Sequence, residues 1–233
     1  MATKYRRPGT RSKEPVNPAE QEDAFVAKTI ELSDWAQRNR PVLTLGIVIL
    51  AIGVAALLYY RNYRETLNAA AAAQLEELQQ RLEQGDQTGV QADLQLYLDR
   101  FSGTPFAGEA RVSLAQISAG MGDHEAAAEV LEPVAGDVGE PLGAQAAALL
   151  AAISEDAGNR QLAQGLYERL ADRAALGFQV QDALADAARL HREEGDLEGA
   201  LELYDRLLEE MDETDPGRGV VEMRRAEVAT MLR

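Results

Sequence analysis

Hydrophobic and polar positions divide the chain into distinct stretches. Residues 41–60, PVLTLGIVILAIGVAALLYY, carry no charged side chain. A helix rises about 1.5 Å per residue, so a run of this length matches the roughly 30 Å of hydrocarbon in a bilayer. Arg38 and Arg40 close one end, while Tyr59, Tyr60, Arg61, Tyr63 and Arg64 form an aromatic and basic belt at the other. The run is longer than the apolar segment of a secretory leader and begins only after forty residues. It also lacks the polar face of a core helix. The pattern predicts one uncleaved transmembrane helix. Gly46, Ala51, Gly53 and Ala55 are small enough to let another membrane helix approach it.

Ahead of the anchor, residues 1–16 are polar and broken by Pro8 and Pro15, which predicts a disordered tail. In residues 17–40, Asn17 suits a helix cap, Pro18 the first helical position, and Glu20 the reciprocal capping bond. Phe25, Leu32 and Ala36 follow at helical spacing, with Trp35 near the membrane surface. An amphipathic helix on the bilayer and a solvated linker helix both fit this stretch.

Residues 61–84 hold no proline or glycine and are rich in helix formers. Continuation of the anchor as one helix and a break between Asn62 and Asn68 are both open. Gly85-Asp86, Gly122-Asp123, Gly158-Asn159 and Gly195-Asp196 then recur at spacings of 37, 36 and 37 residues. A glycine ends one helix at each point, and the next residue caps another. Seven residues before the glycine stand Ala115, Ala151 and Ala188, and five after it Ala127, Ala163 and Ala200. Nine after it come Leu94, Leu131, Tyr167 and Tyr204, which are large enough to fill the space beside the small ones. The first unit departs from this rule, with Leu78 and Val90 at the small positions. Pro133 is expected to end or kink its helix. After the turn DETDPG, a closing helix over 218–232 puts Val220, Met223, Val228 and Leu232 on a stripe suited to covering the last pair. These elements make residues 61–233 one all-α domain.

The order of small, large and glycine positions resembles the tetratricopeptide repeat, most closely in ALADAARLHREEGDLEGALELYDRLLEEM, residues 183–211. The expected fold is therefore all-α: a single N-terminal transmembrane helix, then a tetratricopeptide-like right-handed helical solenoid. The first helix of each pair would line its concave face, which in this register carries Val112, Gln116, Ala148, Ala152, Ala185 and Arg189. Repeat grooves that clamp a terminal carboxylate generally use lysines, and all three lysines of this chain precede residue 29. A weakly polar groove suits extended or partly folded polypeptide.

Charge adds orientation. Residues 1–40 hold eight basic and six acidic side chains, whereas residues 61–233 hold 15 basic and 33 acidic. The basic excess on the short leading side predicts a cytoplasmic N-terminus and an acidic domain across the membrane. A domain of net charge −18 repels phosphate backbones, which excludes nucleic acid as its partner. With no cysteine, disulfides and thiolate chemistry are out. His124 and His191 read as packed or surface imidazoles, and adjacent pairs such as Glu193-Glu194 and Glu209-Glu210 point apart on a helix. No phosphate loop, metal-ligand spacing or nucleophile elbow occurs, so the expectation is a non-catalytic module with no cofactor, metal or small-molecule substrate.

The leading segment, the single anchor and the repeat wording of TPFAGEARVSLAQISAGMGDHEAAAEVL, residues 104–131, together resemble the YfgM-type family, an ancillary subunit of the bacterial SecYEG export channel. The resemblance implies a single-pass protein of the bacterial inner membrane whose periplasmic domain contacts translocon subunits, secretory clients or periplasmic chaperones. It carries over no catalytic residue. A repeat scaffold for cell-envelope or cell-division machinery is the alternative.

Overall fold

A computed structural model describes residues 35–233. The expected tail over 1–16 and most of the expected helix over 17–40 lie outside the described residues. Nine helices follow, with no strand among the described residues: α1 (Arg40–Glu83), α2 (Gln87–Phe101), α3 (Ala107–Gly120), α4 (His124–Ala135), α5 (Pro141–Asp156), α6 (Arg160–Arg173), α7 (Gly177–Glu194), α8 (Leu197–Glu210) and α9 (Arg218–Met231). The chain divides into two units, residues 1–63 and 64–233, and α1 supplies residues to both. It runs as one helix of 44 residues, so no break falls between Asn62 and Asn68.

In the first unit, α1 is the one helix among the described residues that is long and apolar enough to cross a membrane, and none of that apolar stretch is buried. Its threonine hydroxyl is satisfied locally: Thr44 Oγ1 donates to the Arg40 carbonyl at 2.7 Å. A backbone with internal bonds and side chains that ask nothing of water is the condition for residence in lipid.

In the second unit each pair is built around its glycine. Gly85, Gly122, Gly158 and Gly195 adopt φ of +91, +83, +81 and +86°, a left-handed conformation that costs glycine nothing. The N–H after each glycine bonds back five residues, Asp123 to Ser118 at 2.9 Å and Asn159 to Ser154 at 2.7 Å, which satisfies carbonyls at the helix end. Asp86, Asp123 and Asp196 then accept from the backbone N–H three residues on, each at 3.1 Å. Asn159 departs from expectation, because its side chain makes no capping bond.

All of the small and large positions read from the repeat are buried. From α2 onward successive helices pack in chain order, and the first helices of neighbouring pairs also touch, α3 with α5 and α5 with α7. The oversized Leu78 and Val90 belong to a separate cluster with Leu75, Leu94, Tyr97, Phe101, Leu114 and Ile117. Tyr97 reaches across it to donate to the Ala71 carbonyl at 3.1 Å. The first pair therefore packs with larger side chains instead of the fit of alanines against Leu131, Tyr167 and Tyr204 in the later ones.

Helix α4 ends close to Pro133, stopping two residues later at Ala135, where a missing N–H breaks little of the ladder. One expectation needs correction. The stripe assigned to α9 is rotated. Only Val228 is buried and Val221 packs beside it, whereas Val220, Met223 and Leu232 are exposed, Met223 at 66%. Polar ties set this rotation: Arg218 Nη1 donates to the Leu208 and Met211 carbonyls at 2.6 and 3.1 Å, and Arg225 pairs with Asp205.

Candidate functional site

Alanines where two first helices pass one another leave a space of about 170 Å³ between α5, α6 and α7. Helix α5 lines it with Ala144, Gln145 and Ala148, α6 with the buried Tyr167 and Leu170, and α7 with Phe178, Gln179, Asp182, Ala183 and Asp186. Gln179 Nε2 donates to the Pro141 carbonyl at 3.0 Å, which ties the start of α7 to the start of α5. Phe178, in the first turn of α7, is 62% exposed, a large apolar surface at a cavity edge.

The electrostatics of this cleft are negative. Asp182 is exposed and forms no ion pair among the described residues. Burial pushes the Asp186 carboxyl above the usual carboxylate range, although Arg189 lies 3.3 Å away. Tyr167 is pushed up to about 12, first by burial and then by the nearby Asp186 and Glu155 charges. Arg189 does not offer its charge to the cleft. It holds Glu155 at 2.7 and 2.8 Å, and Glu193 at 3.3 Å. That pairing raises the guanidinium's already high pKa and lowers that of Glu155.

Of the six residues expected to line a groove, Ala148 lines this cleft. Gln116 and Ala152 are exposed, Ala185 and Arg189 half-buried, and Val112 is buried at 5%. Val112 therefore serves the core, which it joins beside Ala115 and Leu131. Phe178 and Asp182 are missing from the sequence reading, which began the last repeat at residue 183, whereas α7 starts at Gly177. Extending the 3.6-residue period one turn back across Gln179 would have found them.

The small residues of the anchor do not share one face. At about 100° per residue, Gly46 and Gly53 lie together, and Ala51 and Ala55 lie together on roughly the opposite side. A second polar cluster surrounds His191, whose Nδ1 lies 2.7 Å from Asp196 and Nε2 2.8 Å from Glu168, with the Gln164 amide at 2.5 Å. Burial disfavours the imidazolium, but the two carboxylates outweigh it and raise the pKa. Among the described residues, no group of three or more His, Asp or Glu side chains is placed to hold a metal ion.

The sequence profile of the tetratricopeptide repeat-like domain matches residues 33–230. The chain belongs to that family. The match takes in both the apolar helix and every helix pair of this tetratricopeptide repeat-like protein. No curated protein matches the chain. Repeat domains of this kind are protein–protein interaction modules, built to present side chains from stacked helices rather than to assemble reactive groups.

Proposed function

We propose that this protein is a non-catalytic, membrane-anchored interaction subunit that serves the Sec export channel. In this reading residues 41–60 span the bacterial inner membrane and residues 1–40 lie on its cytoplasmic side. Residues 61–233 stand in the periplasm and contact translocon subunits, secretory clients or periplasmic chaperones. The basic excess of residues 1–40 supports the orientation. Gly46 and Gly53 are the face on which another membrane helix would pack. Ala148, with Gln116, Ala152 and Ala185 along the first helices, would receive polypeptide, and Arg189 would hold the wall in place.

One observation carries the reading: an exposed apolar helix leads into a family-matched repeat domain with an open cleft edged by an exposed aromatic ring. The likeness to the YfgM-type layout supplies the channel as partner. A photoreactive residue at Gln145 of the full chain, illuminated in native membranes, tests it. Channel subunits or secreted polypeptides among the adducts support the proposal. Adducts made solely of cell-wall or division proteins replace it with the scaffold reading. Protease added outside spheroplasts must also degrade residues 65–233, and resistance there defeats the orientation.

A further inference from the structure

We infer that the cleft between α5, α6 and α7 selects cationic apolar polypeptide, a lysine or arginine side chain beside a large apolar one. This rests on the interaction-module reading and names the class of segment that its cleft takes.

Two independent features meet here. The first is a cavity with apolar walls, Ala144, Ala148 and Leu170, and the exposed ring of Phe178 at its edge. At about 170 Å³ it has the room of roughly five or six waters, which suits one side chain and not a folded element. The second is the sign of the polar groups on the α7 wall, where Asp182 and Asp186 stand one turn apart. Among the described residues the cation that pairs with this wall is Arg189, and it is already held by Glu155, Asp186 and Glu193. Glu193 is also 3.7 Å from Arg160, so Glu155, Asp186 and Glu193 are answered by two guanidiniums, and Asp182 is left without an ion pair among the described residues. An acidic or carboxylate-terminated segment would meet only repulsion.

A lysine or arginine fits both features at once. Its alkyl stem lies along apolar surface while its charged end reaches outward, here toward Asp182, and an aromatic face attracts a cation directly. The neighbouring apolar side chain of the same segment covers Phe178. The surplus of 33 acidic over 15 basic side chains in residues 61–233 speeds the approach of such segments, and the local pair selects among them.

The test uses the purified full chain in detergent and fluorescence anisotropy of three labelled peptides: alternating leucine and lysine, leucine and glutamate, and serine and lysine. The leucine-lysine peptide should bind at least about tenfold more tightly than either of the others. Asp182→Asn and Phe178→Ser should each weaken it several-fold. Glu132→Gln, which makes the same charge change at an exposed position on α4, should leave it unchanged. Equal binding of the glutamate peptide overturns the inference, as does equal weakening by Glu132→Gln and Asp182→Asn, or no binding of any peptide. Should the peptides fail while adducts form from Gln145, this inference alone falls. Should adducts be absent, the interaction reading falls whatever the peptides do.

Discussion

The guanidinium of Arg189 on α7 meets the carboxylate of Glu155 on α5 with two bonds, at 2.7 and 2.8 Å. The contact bridges the first helices of neighbouring pairs, 34 residues apart in sequence. Both side chains are largely covered, at 28 and 23% exposure. Removing this cation leaves Glu155, Asp186 and Glu193 close together, with Arg160, 3.7 Å from Glu193, as the remaining partner. Arg189→Met should therefore cost about 2 kcal/mol and Glu155→Gln about 1 kcal/mol, with the double variant short of their sum by about 1 kcal/mol. Urea unfolding of the four proteins measures this, and strict additivity would mean that the two groups do not support each other. Arg189 lowers the pKa of Glu155, so the pair's contribution is present at neutral pH. It is lost as pH falls through the folded-state pKa of Glu155, below the ordinary glutamate value of about 4.3.

What the sequence made legible follows from how local each signal is. A left-handed glycine, a capping aspartate and an alanine beside a tyrosine are each fixed by a few neighbouring residues, and the recurrence at 36 or 37 residues repeats the same reading. The face that α9 turns inward was not legible from its own stripe. Arg218 and Arg225 set it through partners on another helix and turn, and no periodicity within α9 records them. The cleft failed for a similar reason. Its apolar wall was visible as alanines, but Phe178 and Asp182 join it only once α7 is known to start at Gly177. Arg189 looked like a groove cation because sequence shows a charge without showing that Glu155 already holds it.

Two buried tyrosines in different repeats predict opposite responses to the same change. Tyr97 donates to the Ala71 carbonyl at 3.1 Å, whereas the Tyr204 hydroxyl is buried without a hydrogen-bond partner among the described residues. Loss of a satisfied buried bond costs about 1 kcal/mol, while loss of an unsatisfied polar group removes a penalty. Tyr97→Phe should lower stability by about 1 kcal/mol, and Tyr204→Phe should leave it unchanged or raise it by up to about 1 kcal/mol. Denaturant midpoints at constant slope decide this. A Tyr204→Phe loss as large as that of Tyr97→Phe would show a partner for the Tyr204 hydroxyl.

Glycines in and out of the turns divide in the same way. A Cβ at Gly158 or at Gly165 meets nothing within 4 Å, so space does not separate them. Backbone does: Gly158 sits at φ +81°, while Gly165 lies inside helix α6. Gly158→Ala should destabilise by about 1–2 kcal/mol, and Gly165→Ala should stabilise by up to about 1 kcal/mol. At the neighbouring turn residue, Asn159→Asp should add the cap that Asp86, Asp123 and Asp196 already provide, together with a negative charge at a helix start, for about 0.5–1 kcal/mol. Thermal unfolding ranks the three variants. Destabilisation by Asn159→Asp would mean that the turn cannot rotate the carboxylate toward the exposed N–H groups.

His191 gives the repeat domain a pH response near neutrality. Glu168 of α6 and Asp196 of the following turn flank its two ring nitrogens at 2.8 and 2.7 Å, and the hollow beside it also exposes Asp172, Glu202 and Arg206, with Arg206 bound to Asp172 at 3.0 Å. Burial opposes the imidazolium, the two carboxylates favour it more strongly, and the folded-state pKa is raised. A group with a raised pKa contributes fully below its unfolded value, about 6.5 for histidine, and the contribution is lost as pH climbs through the folded value. The protein should therefore be more stable near pH 6 than near pH 8 by about 1 kcal/mol, the scale of one charge-assisted hydrogen bond. His191→Gln should flatten that slope while keeping one hydrogen bond to the cluster. If the slope persists in His191→Gln, the response belongs to another group, and the imidazole between Glu168 and Asp196 is neutral across this range.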